Sequence, residues 1–196
     1  MRPTLLLAMA LPLTLALAAC KDDAVVPEPL VMTDEALGFY CQMYLTDHAG
    51  PKGQVFLDGY AQPVWFSQVA DVAAYRGDPE RPASIAAIYV SDMGAAESWA
   101  VPGPANWIDA AAAHYVVGSN QAGGMGLPEA IPFGTEAAAA AFAAEHGGKV
   151  VGWDEVPDDI GRGAMPDGPM SAPAETGMAG HHMPTPTIEA QGEKGE

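Results

Sequence analysis

The chain has 196 residues, with 8 Lys or Arg against 25 Asp or Glu and a formal net charge of −17. That surface repels phosphates, so a nucleic-acid partner is excluded on charge. Two cysteines in the whole sequence rule out both a disulfide-rich scaffold and a four-cysteine zinc module.

At the N-terminus, Arg2 precedes an apolar run from Leu5 to Leu17 that is too short to cross a bilayer. Residues 1–19 read as an export signal. Leu17-Ala18-Ala19-Cys20 resembles the lipobox of bacterial lipoproteins, which implies cleavage before Cys20 and a lipid on that cysteine. The expected address is the periplasmic side of a membrane, held through an N-terminal lipid and not through a spanning helix. Lipidation of Cys20 would leave Cys41 as the one thiol in a compartment that favours oxidation.

Residues 20–38 are polar or interrupted by Pro27 and Pro29, and read as a lipidated tether with folded structure beginning near Phe39. Beyond it, Gln54–Asp58 and Pro63–Phe66 have strand character around an Asp58-Gly59 turn. Ser67 is placed to cap a short helix carrying Val69, Val72 and Ala73 on one face. Gly77-Asp78-Pro79 stops that helix, and Ile85–Val90 supplies a third strand. The same order then recurs. His114–Val117 and Ala130–Phe133 read as strands, Thr135 caps a helix rich in alanine, Gly147-Gly148 ends it, and Lys149–Trp153 forms the closing strand. The expectation is an α+β fold of two similar ββαβ units, about 51–92 and 113–156, within a folded region 39–156. Residues 157–196, rich in Pro and Gly, lack the apolar content to form a core and read as a disordered tail. That tail holds Met165, Met170, Met178, His181, His182 and Met183, a loose set of soft ligands.

Enzyme templates fail one by one, with a cysteine nucleophile at Cys41 assisted by His48 or His114 left formally open. The glycine-rich stretch 118–126 lacks the Lys-Ser/Thr ending of a phosphate cradle, and there is no Gly-x-Ser-x-Gly elbow. The sharper signal is Cys41-Gln42-Met43 followed by His48. Thiolate and thioether select Cu(I), and imidazole also suits copper, so three such side chains within eight residues form a candidate monovalent-copper set on a loop or strand. Met125, flanked by Gly123, Gly124 and Gly126, adds a second thioether if its loop folds over residues 41–48. The bland alternative at these positions is a core cysteine and methionine with a surface histidine.

In order and spacing, Tyr40-Cys41-Gln42-Met43-Tyr44 with His48, Gly50-Pro51-Lys52-Gly53-Gln54, Tyr115-Val116-Val117-Gly118-Ser119 and Gly123-Gly124-Met125-Gly126 resemble the NosL accessory lipoproteins of nitrous oxide reductase. The resemblance covers the lipobox and about residues 39–156. It implies a Cu(I)-binding chaperone, not an enzyme, serving the copper–sulfide centre of nitrous oxide reductase, with a membrane transporter complex as partner. It also implies two ββαβ units and a distant likeness to organomercurial lyase. The family pattern commonly has Gly where this chain has Gln42. An organomercurial-lyase-like enzyme and a general copper-storage lipoprotein are the competing expectations.

Overall fold

The computed structural model describes residues 26–162. The export signal, Cys20 and the Met/His-bearing stretch of 163–196 lie outside the described residues. Two antiparallel sheets and two helices follow in chain order: β1 (Gly53–Leu57), β2 (Val64–Phe66), α1 (Val69–Arg76), β3 (Ile85–Ser91), β4 (Trp107–Asp109), β5 (His114–Val117), β6 (Ile131–Phe133), α2 (Glu136–His146) and β7 (Lys149–Val151). The first sheet has the order β2-β1-β3-β4 and the second β6-β5-β7. In each unit the first strand is central, pairing with the strand after it and with the strand that follows the helix. The α+β fold with a repeated ββαβ unit is therefore the fold observed.

β4 is an addition that alternation did not reveal. It is three residues long and pairs only with the last residues of β3, Tyr89 to Ser91. The two units share one core, in which Val55, Phe66 and Val72 of the first join Tyr115, Val117 and Val151 of the second. Each such side chain, fully withdrawn from water, contributes about 1.5–3 kcal/mol.

β1 is buried along its whole length because both of its faces are covered. Val55 and Leu57 face the shared core, whereas Phe56 packs with Ala87 and Tyr89. The cover over the outer face corrects the sequence reading of 20–38 as a tether. The Leu30 backbone is clamped at both ends by the Gln54 side chain, its N–H donating at 2.9 Å and its carbonyl accepting at 3.1 Å. Tyr89 donates its hydroxyl to the Pro27 carbonyl at 2.7 Å, and the Met32 N–H reaches Pro104 O at 2.8 Å. Folded structure thus begins at Pro27, upstream of Phe39.

The C-terminal boundary moves as well. Residues 157–162, read as the start of the disordered tail, are folded: a 3-10 turn at Ile160–Arg162 packs on α1, and Asp158 pairs with Arg76. The Arg76 guanidinium also donates to the carbonyls of Trp153 and Val156 and lies 4.5 Å from the Trp153 ring centroid. One cation of α1 thereby holds the end of the folded region.

Candidate metal centre

The segment that carries Cys41 is a tight reversal and not an extended strand. An isolated bridge pairs Leu37 with Tyr44, and between them Gly38 N donates to Met43 O at 2.9 Å while Gln42 N donates to Gly38 O at 2.8 Å. Closing this turn puts Gln42 at φ +56°, a left-handed conformation that glycine adopts at least cost. Gln42 meets that cost partly by donating its side-chain amide to Phe39 O at 2.6 Å. Leu45–Asp47 then form a 3-10 turn, anchored by fully buried Leu45, and His48 follows directly.

Cys41 is a free, half-buried thiol. Its Sγ is hydrogen-bonded to Ser67 Oγ at 3.4 Å and lies so close to Gly38 that a Cβ there would approach within 2.6 Å. Ser67, read from sequence as the cap of α1, therefore serves the thiol instead, and Gln68 occupies the cap position without a side-chain cap bond. Met43 is 40% exposed and Met125 37% exposed, so both thioethers are reachable from solvent. His48 Nε2 is buried and has no hydrogen-bond partner, an unusual state for an imidazole nitrogen and one that a metal ion relieves.

The glycine-rich loop meets the end of this segment at His48 and Ala49. A Cβ on Gly124 would sit 2.3 Å from Ala49 O and 3.0 Å from His48 Cβ, so glycine is required for the backbone before Met125 to lie on His48. The structure thus seats the Met125 loop on His48 and Ala49, seven and eight residues along the chain from Cys41. Among the described residues, no three His, Cys, Asp or Glu side chains converge on a metal position. Methionine sulfur, which Met43 and Met125 carry, is a soft donor suited to a monovalent ion such as Cu(I).

Beneath the loop lie two ionisable residues that sequence reasoning missed. Lys52, 1% exposed, donates its ammonium to Gly50 O at 2.8 Å and Ala49 O at 3.1 Å. Burial pushes its pKa down to about 8, opposed by the attraction of Glu129 and of Cys41. Glu129 is 2% exposed, and burial pushes its carboxyl up to about 8 although Oε1 accepts from Ala70 N at 2.7 Å and Ala130 N at 2.9 Å. Its other oxygen, Oε2, has no partner and faces Gly123. Both residues stand alone in apolar or glycine-rich surroundings, Gly50-Pro51-Lys52-Gly53 and Pro128-Glu129-Ala130-Ile131, which was the one available sign of a buried charge.

Comparison with known proteins bears on the family and the fold. The family model NosL matches residues 29–160. The copper-binding lipoprotein NosL of Achromobacter cycloclastes is 51% identical over 146 residues, 72% of this chain and 75% of that protein. Its counterpart from Stutzerimonas stutzeri is 34% identical over 151 residues, covering 76% and 77%. Among solved structures, the crystal structure of the copper chaperone NosL from Shewanella denitrificans superposes with a TM-score of 0.62 at 30% identity, over 66% of this chain and 96% of that one.

Proposed function

The chain belongs to the NosL family, and from that premise we propose that it is a lipid-anchored periplasmic chaperone that carries Cu(I). In this reading Cys41 binds the cargo as thiolate, releasing its proton as the sulfur–copper bond forms, and Met43 and Met125 supply thioether. His48 contributes Nε2 as a nitrogen ligand or orients its neighbours. The destination is the copper–sulfide centre of nitrous oxide reductase, reached through the membrane transporter complex that assembles it. Lipid on Cys20 keeps the carrier at the membrane where that complex resides.

The observation that carries the proposal is the orphaned, buried Nε2 of His48 beneath a loop that only glycine allows to close, on the same segment as a free thiol. Cu(I) accepts few ligands, and ligands borne on a turn and a glycine loop can be displaced one at a time by a partner's. Lyase chemistry on carbon–mercury bonds needs a pair of cysteines, whereas Cys41 is the one cysteine among the described residues.

Competition titration with a Cu(I) chelator on the chain from Lys21 onward tests the reading. About one Cu(I) should bind tightly, and Cys41→Ser should abolish that equivalent. Unchanged affinity in the variant would overturn the assignment of the thiol.

A further inference from the structure

Between α1 and the 3-10 turn at Ile160–Arg162 lies an open cleft of about 590 Å³. One wall is Tyr40, next to Cys41 in the chain, and Leu127, two residues from Met125. These two side chains are 47% and 42% exposed. Asp71, Asp78 and Asp159 also line the cleft, with Arg162 as the cation among its lining residues. Gln68 lines it too, although only 3% exposed; its Nε2 donates to Asp71 Oδ1 at 3.1 Å and its Oε1 has no partner. Burial raises the Asp71 carboxyl above its ordinary range, as expected of a carboxylate short of compensating charge. Burial raises the Tyr40 phenol, Asp78 and Asp71 add to the rise, and Arg162 opposes it, so all three charges act on the same ring.

We propose that this cleft is a docking subsite for an arginine side chain of the protein that exchanges copper with Cys41. The inference rests on the chaperone reading, because its force lies in the position of the cleft beside the copper-bearing turn. A planar guanidinium can stack on the Tyr40 ring while its N–H groups face Asp71 and Asp78, a combination that an ammonium point charge exploits less well. The chain's own Arg76 does not fill the cleft, since it is committed to Asp158, Trp153 O and Val156 O, and Arg162 at its edge offsets one of the three carboxylates Asp71, Asp78 and Asp159. A metal ion is a poor occupant, because the described residues hold no convergent set of three ligating side chains. Charge complementarity selects a basic partner, as the whole chain carries −17.

Backbone amide NMR on the chain from Lys21 onward, titrated at low salt with N-acetyl-arginine amide and with its uncharged citrulline analogue, tests the proposal. Arginine should give saturable shifts confined to Tyr40, Ala74 and Leu127, and citrulline should bind about tenfold more weakly or not at all. In an Asp71→Asn/Asp78→Asn variant the arginine affinity should fall by at least about tenfold, while Cu(I) affinity, measured in parallel, is unchanged. Equal shifts from citrulline, unsaturable shifts spread over the acidic surface, or an undiminished response in the double variant would overturn it. A chain that binds arginine in the cleft but takes no Cu(I) at Cys41 would overturn the copper reading beneath the proposal and retain the subsite.

Discussion

Cys41 and Met43 are two residues apart, yet the left-handed Gln42 between them means that strand alternation does not decide where their side chains point. Met125 arrives by a different route, on a loop whose seat against His48 and Ala49 depends on Gly124. Since a lone thiolate leaves Cu(I) under-coordinated, Met43→Leu and Met125→Leu should each weaken Cu(I) binding. Side-chain volume is nearly conserved and both positions are substantially exposed, so stability should change by less than about 1.5 kcal/mol. X-ray absorption counts sulfur neighbours directly; a Met125→Leu protein with unaltered sulfur count and affinity would remove the loop from the site. Gly124→Ala provides an independent check, because the added carbon meets backbone and the loop must lift. Its copper affinity should fall at least as far as that of Met125→Leu even though every ligand is retained. Chelator competition with the two variants side by side decides this.

The two helices begin in the same topological position but are started by different means. In α2, Thr135 Oγ1 accepts from Ala138 N at 3.2 Å, a local cap. In α1 the corresponding group is the Glu129 carboxylate oxygen on Ala70 N, delivered from 59 residues away. Thr135→Ala should therefore cost about 1 kcal/mol of unfolding free energy. Ser67→Ala should leave the start of α1 intact and alter the Cys41 thiol it touches. Urea denaturation of both variants, with the thiol alkylation rate of the second, separates the roles. This contrast also explains what the sequence could disclose. The β-branched and aromatic runs in Gln54–Leu57 and His114–Val117, the Thr135 cap and the Gly147 stop are local signals, and each marks a real element. The candidate ligands Cys41, Met43 and His48 stood out for the same local reason, since Cys and His are scarce in this chain and these three fall within eight positions. Strand β4, the clamp of Leu30 by Gln54, and the burial of Lys52 and Glu129 are products of long-range packing, and no window of neighbouring residues encodes them.

At the scale of the whole molecule, the core beneath the glycine-rich loop encloses two groups whose charges water no longer supports. Glu129 rises from its ordinary 4.5 to about 8, so between those values the folded chain holds a proton that the unfolded chain has released. Its contribution is most favourable to folding below about pH 4.5 and is lost as pH climbs through about 8. Lys52 falls from 10.5 to about 8 and acts in the opposite sense, restoring stability as pH rises from about 8 to 10.5. The two together place a minimum near pH 8, softened by their mutual attraction. Glu129→Gln retains an oxygen to accept from Ala70 N and Ala130 N but cannot titrate, so it isolates one arm of that profile. Across pH 5 to 8 the unfolding free energy of the parent should decline relative to the variant by up to about 1.4 kcal/mol per pH unit, the full slope for one proton. Carboxylates remote from Glu129 titrate in both proteins and cancel in the difference, whereas Asp71, whose charge adds to the rise at Glu129, is coupled to it. Urea unfolding of the reduced, copper-free proteins at pH 5, 6.5 and 8 measures it; parallel stability profiles would mean that Glu129 is ionised in the folded chain, with Lys52 as its counter-ion.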